Sequence, residues 1–245
     1  MTVDLPNPGA PRLFESELRG IAQDAVDLFG DAADPVEVLS WVGRRVGKSR
    51  VAVSVSFSDG VLSYFAAQAL PGVDVLFVDT YYHFAETLGV RDAVAATLPV
   101  NVRTLTPEQT VEQQDAQYGK DLWRTAPDLC CALRKVAPLA HALRDKDVWV
   151  TGLRRSDHAG RADVPLVAYD HVHQVVKVNP LVAYSDAQIA DAVAEFGIVE
   201  NPLREVGYRS IGCEPCTRPV AAGEDDRAGR WSGTAKTECG LHFRI

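Results

Sequence analysis

The chain of 245 residues contains no long run of apolar residues. Its longest apolar runs, such as 73–78, are far shorter than the roughly 20 residues that a membrane-spanning helix needs. The first eleven residues are polar and rich in proline, without the basic and then apolar stretch of a secretory signal. We therefore expect a cytoplasmic protein with no membrane association, in a compartment where thiols stay reduced.

Positive charge is also scarce. The chain has 25 Lys and Arg residues against 33 Asp and Glu residues, a formal net charge of −8. A general nucleic-acid binder normally presents a basic face, so we expect no nucleic-acid partner. An anionic small molecule is still compatible with this composition, because a pocket can be locally basic in an acidic protein. A homo-oligomer is compatible with it as well.

Cysteine is too rare, and odd in number, for a disulfide framework. The five cysteines are the adjacent pair Cys130 and Cys131, the C-x-x-C pair Cys213 and Cys216, and Cys239 close to the end. None of them lies in an apolar strand pattern, where a purely structural cysteine is expected. Their grouping therefore indicates a chemical role and not a purely structural one.

Apolar β-branched segments alternate with helical patterns along most of the chain. This alternation predicts an α/β fold, with a mostly parallel sheet and helices on both faces. Ligands of such sheets bind beyond the carboxyl ends of the strands. The predicted strands cover 50–56, 73–78, 100–105 and 148–151, and the predicted helices begin at Asp34-Pro35 or cover 61–70 and 86–95.

Three polar turns follow these strands and should line one site: 56–59, 79–80 and 152–155. The first turn, with Ser56 and Ser58 before Gly60, is typical of a phosphate-binding turn at a helix N-terminus. It is not a Walker A loop, because the G-x-x-x-x-G-K-[ST] spacing is absent. An ordinary capped turn between a strand and a helix explains it equally well.

The pattern changes near the end of the chain. Residues 221–230 are small, charged and glycine-containing, which is typical of a mobile segment. We therefore predict a single α/β nucleotide-binding domain over 1–216, carrying the paired cysteines, and a flexible C-terminal catalytic tail over 217–245. A cysteine near the end of such a tail is able to move.

The two cysteine pairs predict one metal centre. A C-x-x-C pair converges easily on one ion or cluster. Adjacent helical residues point roughly 100° apart, so Cys130 and Cys131 suit two neighbouring irons better than a single zinc. Zinc and a four-iron four-sulfur cluster both remain open on local chemistry. Lys135, close behind this pair, would offset the negative charge of a thiolate-bound centre.

The remaining thiol, Cys239, is a candidate nucleophile. His242 follows it, and Arg227 and Arg230 precede it. Electropositive surroundings lower the pKa of a thiol and produce the reactive thiolate. The alternative is an exposed cysteine in a tail with no chemical role.

Taken together, these motifs resemble those of the bacterial assimilatory adenylyl-sulfate reductases of the iron–sulfur type, in the family of reductases of adenylyl sulfate and its 3′-phosphate. The likeness extends from about residue 50 to the end. The runs that carry it are Ser56-Phe57-Ser58, Val78-Asp79-Thr80, 130–139 (CCALRKVAPL), Thr151-Gly152-Leu153-Arg154-Arg155, 212–219 (GCEPCTRP) and Glu238-Cys239-Gly240-Leu241-His242.

The resemblance implies an adenine-nucleotide α-hydrolase-like fold and one 4Fe-4S cluster held by Cys130, Cys131, Cys213 and Cys216. It also implies reduction of adenosine 5′-phosphosulfate to sulfite and AMP in assimilatory sulfate reduction, with thioredoxin as the reductant and an S-sulfocysteine intermediate on Cys239. The substrate-binding residues that it implies are Ser56, Ser58, Asp79, Lys135, Arg154, Arg161, Arg227, Arg230 and His242.

Three alternatives remain. A reductase of 3′-phosphoadenylyl sulfate is the nearest, although enzymes confined to that nucleotide typically lack the paired cysteines. An ATP-pyrophosphatase-type tRNA thiolation enzyme is disfavoured by the acidic net charge and the absence of a basic appendage. A redox-inert, zinc-stabilised nucleotide-binding protein would leave the Cys-Gly-Leu-His tail without a use.

Overall fold

The computed structural model describes residues 11–234 and 236–242. Within this part of the chain six strands form one sheet in the order β3-β2-β1-β4-β6-β5, parallel except for the antiparallel β5–β6 pair. The predicted α/β fold with a mostly parallel sheet is therefore confirmed. The strands are β1 (Val51–Val55), β2 (Asp74–Val78), β3 (Asn101–Leu105), β4 (Val148–Thr151), β5 (Val167–Asp170) and β6 (Val175–Val178).

Helices cover both faces of this sheet. The second helix begins where Asp34 and Pro35 predict, because the Asp34 carboxylate accepts hydrogen bonds from the backbone N–H groups of Val36 (2.8 Å) and Glu37 (3.0 Å). The helices are α1 (Glu15–Leu28), α2 (Pro35–Val46), α3 (Val61–Ala69), α4 (Ala85–Thr97), α5 (Val111–Tyr118), α6 (Leu122–Thr125), α7 (Pro127–Cys131), α8 (Ala137–Ala142) and α9 (Asp186–Phe196).

Alternation of side chains along the strands produces two cores. Val51 and Val53 of β1 point into the larger core, which is built with α1 to α4 and α9. Ala52, between them, points to the opposite face and a smaller core with Leu139 of α8 and Trp149 of β4. Because both faces are covered, the central strands read as continuous apolar runs in the sequence.

The β5–β6 hairpin was not among the predicted strands. The Asp170 carboxylate accepts hydrogen bonds from the backbone N–H groups of Val172 and His173, both at 2.9 Å, and Gln174 adopts a left-handed conformation with φ of 54°. This side-chain-capped turn closes the hairpin without the Asn-Gly or Asp-Gly pair that marks tight hairpins in a sequence.

The order of the strands creates a crevice. From β1 the chain builds β2 and β3 on one side and then crosses to place β4 on the other side. Such a switch point opens a crevice at the carboxyl ends of β1 and β4, where open α/β sheets bind their ligands.

The segment after residue 216 folds back toward this crevice. Thr217 and Arg230 form an isolated antiparallel bridge, and the backbone N–H of Trp231 donates to the Cys216 carbonyl at 2.9 Å. The flexibility of the tail and the domain boundary at 216 stay predictions, and residues 235 and 243–245 lie outside the described residues. In the described ranges no helix is long and apolar enough to cross a membrane.

Candidate active site

A cavity of about 320 Å³ lies at the carboxyl ends of β1 and β4. This volume is at the lower end of the range for small-molecule sites. The turn after β1 contributes Ser56, Ser58 and Asp59, and the turn after β4 contributes Arg154. The tail closes the cavity from above with Cys239 among its lining residues.

The lining of this cavity is locally basic although the whole chain is acidic. Seven Lys and Arg side chains line it against five Asp and Glu side chains. An anionic ligand is therefore favoured inside the cavity despite the net charge of −8. The basic residues are Lys135, Arg154, Arg161, Arg204, Arg209, Arg227 and Arg230.

The turn after β1 bends sharply because Phe57 adopts a left-handed conformation with φ of 53°. The Asp59 carboxylate, one residue before the N-cap Gly60 of α3, accepts from the backbone N–H of Val61 at 3.1 Å, and burial raises the pKa of this carboxyl. Ser56 and Ser58 are left on the cavity wall at the entrance to α3. Anion binding by this turn stays a prediction.

The turn after β2 is arranged differently. The Asp79 carboxylate accepts from the backbone N–H of Tyr81 at 2.8 Å and faces Arg91 at 3.9 Å. Asp79 is not among the residues that line the cavity in the described part of the chain. The structure therefore does not bring it together with the other candidate substrate residues.

Arg154 in the turn after β4 is held by two carboxylates. Its Nη2 lies 2.8 Å from Asp157 and 2.8 Å from Asp186. Burial opposes the charge, but these carboxylates raise the pKa of Arg154. Its buried Nη1 has no hydrogen-bond partner among the described residues, which leaves one donor for a ligand.

Arg161 and Arg227 share one carboxylate from the tail. Arg161 donates to Glu238 Oε1 from Nε at 3.0 Å and from Nη2 at 2.8 Å, and Arg227 Nη2 donates to Oε2 at 3.1 Å. Both guanidinium groups are largely buried, with side chains 13% and 11% exposed. Burial lowers the pKa of Arg227, and the Glu238 carboxylate opposes that shift.

Arg230 lines the same cavity as Arg161 and Arg227, the two arginines that we call the arginine clamp. Its Nη1 donates to Ser210 Oγ at 3.2 Å, and its guanidinium sits 4.6 Å from the centre of the Trp231 ring. The buried Nε atoms of Arg227 and Arg230 have no hydrogen-bond partner within the described ranges. Two cations with spare donors therefore converge near Cys239.

Cys239 is half-buried and is followed by a turn that needs glycine. Gly240 has φ of +82°, a conformation that L side chains rarely adopt. The turn sends Leu241 into the smaller core and places the His242 ring against Trp149. Burial lowers the pKa of His242 well below its usual value, so its ring is neutral at pH 7.

The four paired cysteines line a second, small cavity below the first. Cys213 Sγ lies 3.2 Å from Thr80 Oγ1, and the backbone N–H of Cys216 donates to the Cys213 carbonyl at 3.0 Å in a tight 3-10 turn. Among residues 11–234 and 236–242, no three His, Cys, Asp or Glu side chains are placed to hold a single metal ion. All five cysteines are free thiols.

A π-helical turn, Ala132–Val136, separates α7 from α8 directly after Cys131. π-helical turns are rare in proteins overall, but those that occur are frequently at functional sites. Arg134 within it is buried and donates to Gln114 Oε1 at 2.7 Å and to the carbonyls of Thr80 at 3.2 Å and Thr110 at 3.0 Å. The turn thereby links the first cysteine pair to the end of β2.

Lys135 lines both cavities. Burial opposes its charge, yet the neighbouring Cys213 and Cys239 thiols raise the pKa of Lys135. Both Arg134 and Lys135 line the cavity of the paired cysteines, and neither forms an ion pair with a carboxylate in the described part of the chain.

The thiols cannot all ionise without a cationic centre. Burial, followed by repulsion from Cys131, raises the pKa of Cys130 to about 12, and burial with repulsion from Cys213 raises that of Cys216 to about 11. Burial also opposes ionisation of Cys213, but Lys135 lowers its pKa overall. A bound metal centre would remove this repulsion by taking the thiolates as ligands.

The structure thus places most of the candidate residues from the sequence in two adjoining cavities, with Asp79 outside them. Arg134 and Asp157 were not predicted as site residues, and neither was the clamping role of Glu238. Arg134 follows an adjacent cysteine pair as Lys135 does, and this position was the available signal. The pairing of Glu238 with Arg161 spans 77 residues of sequence and had no local signal.

A profile of the phosphoadenosine phosphosulfate reductase domain matches residues 49–219. The chain belongs to this family. Members with similar sequences include the adenosine 5′-phosphosulfate reductase of Streptomyces coelicolor, 50% identical over 92% of this chain and 95% of its own length. The enzyme of the same name from Mycolicibacterium smegmatis is 47% identical over 93% of this chain and 96% of its own length.

Solved structures support the fold of this phosphosulfate reductase family member. The phosphoadenylyl-sulfate reductase of Candida auris, in a phosphate complex, aligns with a TM-score of 0.66, 24% identity and coverage of 86% of this chain and 100% of that one. The NH3-dependent NAD synthetase of Campylobacter jejuni aligns with a TM-score of 0.51 and 11% identity over 76% of this chain and 78% of its own. The adenine-nucleotide α-hydrolase-like fold is therefore confirmed.

Proposed function

We propose that this chain reduces adenosine 5′-phosphosulfate to sulfite and AMP in assimilatory sulfate reduction. The observation that carries the proposal is the meeting of Cys239 with Lys135, Arg227 and Arg230 in one cavity at the switch point of the sheet. Relatives 44–50% identical over nearly the whole chain carry the name of this activity. The identity of the anion follows from these relatives, because the basic lining alone accepts several.

The first step is a nucleophilic substitution at sulfur. The Cys239 thiolate attacks the sulfonate sulfur, an S–S bond forms, and the S–O bond to the phosphate breaks so that AMP leaves with the electron pair. The leaving phosphate gains negative charge, which fixed cations stabilise. Lys135, Arg227 and Arg230 line the cavity beside Cys239 and supply these cations, and the product is S-sulfocysteine.

The second step uses a dithiol reductant, which we propose is thioredoxin. One of its thiolates attacks the Cys239 sulfur, sulfite leaves with the S–S electron pair, and a mixed disulfide forms. The second thiol of the reductant then displaces Cys239 as a thiolate, so that two electrons pass entirely between thiols. This step requires the tail to open, because Cys239 is only half-exposed in the closed arrangement.

The four paired cysteines fit a 4Fe-4S cluster. All four side chains line one cavity, and four cysteine thiolates are the usual ligand set of such a cluster. Arg134 and Lys135, without carboxylate partners in the described residues, offset the negative charge of four thiolates. When bound, the cluster would supply an electrostatic and structural centre. Lys135 would face it on one side and the nucleotide on the other.

The first experiment is anaerobic purification followed by iron and sulfide analysis and a sulfite assay with adenosine 5′-phosphosulfate and thioredoxin. We expect a brown protein with about four irons per chain that releases sulfite. Replacing Cys239 with Ser should abolish sulfite release while the visible spectrum and AMP binding remain. Sulfite release by this variant, or a colourless protein that releases none, would overturn the proposal.

One further measurement distinguishes the two candidate nucleotide substrates. Comparison of turnover with adenosine 5′-phosphosulfate and its 3′-phosphorylated form should favour the former at least tenfold, in line with the names of the similar relatives. A cytoplasmic setting, where thiols stay reduced, would suit a nucleophilic Cys239 that forms no disulfide. Equal turnover of both nucleotides would replace the proposal with dual use.

A further inference from the structure

The Glu238 carboxylate lies between two largely buried guanidinium groups that line the cavity. Three hydrogen bonds of 2.8–3.1 Å join it to Arg161 and Arg227. Arg161 is further oriented by Asp157, which accepts from its Nη1 at 2.9 Å. Guanidinium pairs of this kind bind carboxylates, phosphates and sulfates through the same fork of donors.

The carboxylate therefore stands where an anionic ligand would stand. Arg161, Arg227 and Glu238 all line the nucleotide cavity. Simultaneous binding of Glu238 and a phosphate or sulfonate by Arg227 would bring like charges together in a partly buried site, which is costly. Arg227 Nε and Arg230 Nε offer donors that Glu238 leaves unused, and a larger anion would engage them.

Glu238 immediately precedes Cys239, so whatever displaces the carboxylate also shifts the thiol. The rest of the tail has separate anchors: Lys236 pairs with Asp128 at the start of α7, Leu241 packs in the smaller core, and His242 stacks on Trp149. Release of Glu238 would thus reposition the thiol locally while the tail stays docked at both ends.

We propose that Glu238 is an intramolecular competitor of the substrate anion. Its carboxylate holds the arginine clamp in the free enzyme, and the anionic group of the nucleotide displaces it on binding. The displacement couples occupation of the site to the position of Cys239. This inference rests on the proposed function for the identity of the nucleotide, whereas the competition itself concerns any anion that reaches the clamp.

The test measures nucleotide affinity in the Cys239→Ser background, where no turnover occurs. Titration calorimetry with AMP, adenosine 5′-phosphosulfate and uncharged adenosine is compared between Glu238 and Glu238→Gln. If the carboxylate competes, the variant should bind both anions at least about fivefold more tightly, because charge-assisted hydrogen bonds no longer have to be broken. Adenosine affinity should stay the same.

Glu224→Gln is the matched control. Glu224 lies in the same tail and pairs with Arg218 at 3.0 Å, but that pair is exposed and lies outside the cavity lining. Its removal changes the net charge by the same amount and should leave all three affinities unchanged. Glu238→Ala provides a second variant, since it removes the acceptor completely and should tighten anion binding at least as much.

Unchanged or weaker anion binding in both Glu238 variants, with iron content and melting temperature retained, would overturn the proposal and leave Glu238 as a residue that only positions the tail. Tighter binding of adenosine as well would also overturn it, because steric opening would then explain the gain. Failure of the proposed function would be seen separately. A wild-type chain that binds AMP but releases no sulfite would reject the activity, and the comparison of AMP affinity with and without Glu238 would still test the competition.

Discussion

The imidazole of His242 stacks on the indole of Trp149, with ring centroids 5.4 Å apart and planes 18° from parallel. The same indole donates from Nε1 to Ser54 Oγ at 2.8 Å, and Ser54 lines the nucleotide cavity. The end of the tail therefore rests on the sheet through a ring that is hydrogen-bonded to a residue of the cavity wall. This contact fixes how far Cys239 reaches over the cavity.

The first prediction concerns this stacking contact. His242→Ala removes an aromatic contact and should raise the rate of Cys239 alkylation by iodoacetamide several-fold in the nucleotide-free enzyme. His242→Phe keeps the stacking surface and should stay near the wild-type rate. Mass spectrometry of the alkylated peptide assigns the rate to Cys239. Equal acceleration in both variants would show that the imidazole nitrogens, not the stacking, hold the tail.

A second prediction concerns the space beside Gly212. A Cβ at this position would overlap the guanidinium of Arg230. The end of an arginine side chain can move away, so Gly212→Ala should change the melting temperature little. The moved guanidinium should weaken AMP binding at least about tenfold, since a charge-assisted hydrogen bond contributes about 1.5–3 kcal/mol and about 1.4 kcal/mol is a factor of ten.

Gly89→Ala is the control for this substitution. Gly89 lies in α4, and a Cβ there would meet no atom within 4 Å. It should leave AMP binding unchanged and slightly raise stability, because alanine favours a helix by up to about 1 kcal/mol. Iron content must also be measured, since Gly212 precedes Cys213. Unchanged AMP affinity in Gly212→Ala with full iron content would exclude Arg230 from the site.

The third prediction concerns Arg134. Arg134→Met removes three hydrogen bonds and a buried cation beside the paired cysteines, and should lower both the melting temperature and the iron content of the purified protein. Arg134→Lys keeps the charge but not the fork of donors. If charge compensation is the main role, the Lys variant should retain more iron than the Met variant. Equal iron loss in both would assign Arg134 a purely structural role.

Periodicity made the sheet predictable. β1, β2 and β4 are short, mainly apolar strands, whereas the edge strand β3 is more polar and exposed, and the structure places the ends of all four within one residue of the predicted positions. The hairpin of β5 and β6 was not predicted because its turn depends on two features that the sequence does not mark. The Asp170 carboxylate accepts a backbone hydrogen bond, and Gln174 adopts a left-handed conformation. Such turns leave little local pattern.

The site was predictable where residues of one chemical type cluster along the chain. The two cysteine pairs line one cavity, as their spacing suggested. Contacts between distant residues were not predictable: Arg161 and Glu238 meet across 77 positions, and Lys177 has no polar neighbour in sequence. Packing of the tail brings Arg161 and Glu238 together, whereas strand pairing within the sheet creates the surroundings of Lys177.

Lys177 is a buried cation that the sequence did not mark. Its side chain is 1% exposed, and its Nζ lies 4.7 Å from the centre of the Trp149 ring. Burial lowers the pKa of Lys177 to about 8, against an opposing attraction from Asp170. Hydrogen bonds from His173 outweigh burial and lower the pKa of Asp170 to about 2, so this carboxylate is charged throughout the neutral range.

The fourth prediction follows from the sign of this shift. Between pH 8 and 10.5 the unfolded chain holds a proton on Lys177 that the folded chain has released. Burial of the cation therefore lowers the stability of the folded chain fully below pH 8, and this cost disappears as the pH rises toward 10.5. The unfolding free energy of wild type relative to Lys177→Met should therefore increase by up to about 3 kcal/mol over this window. Denaturant unfolding at several pH values measures it, with exposed Lys120→Met as the control for loss of one charge. A difference that stays constant from pH 8 to 10.5 would mean that Lys177 is no less basic in the folded chain than in the unfolded one, and that the Trp149 ring and Asp170 compensate fully for its burial.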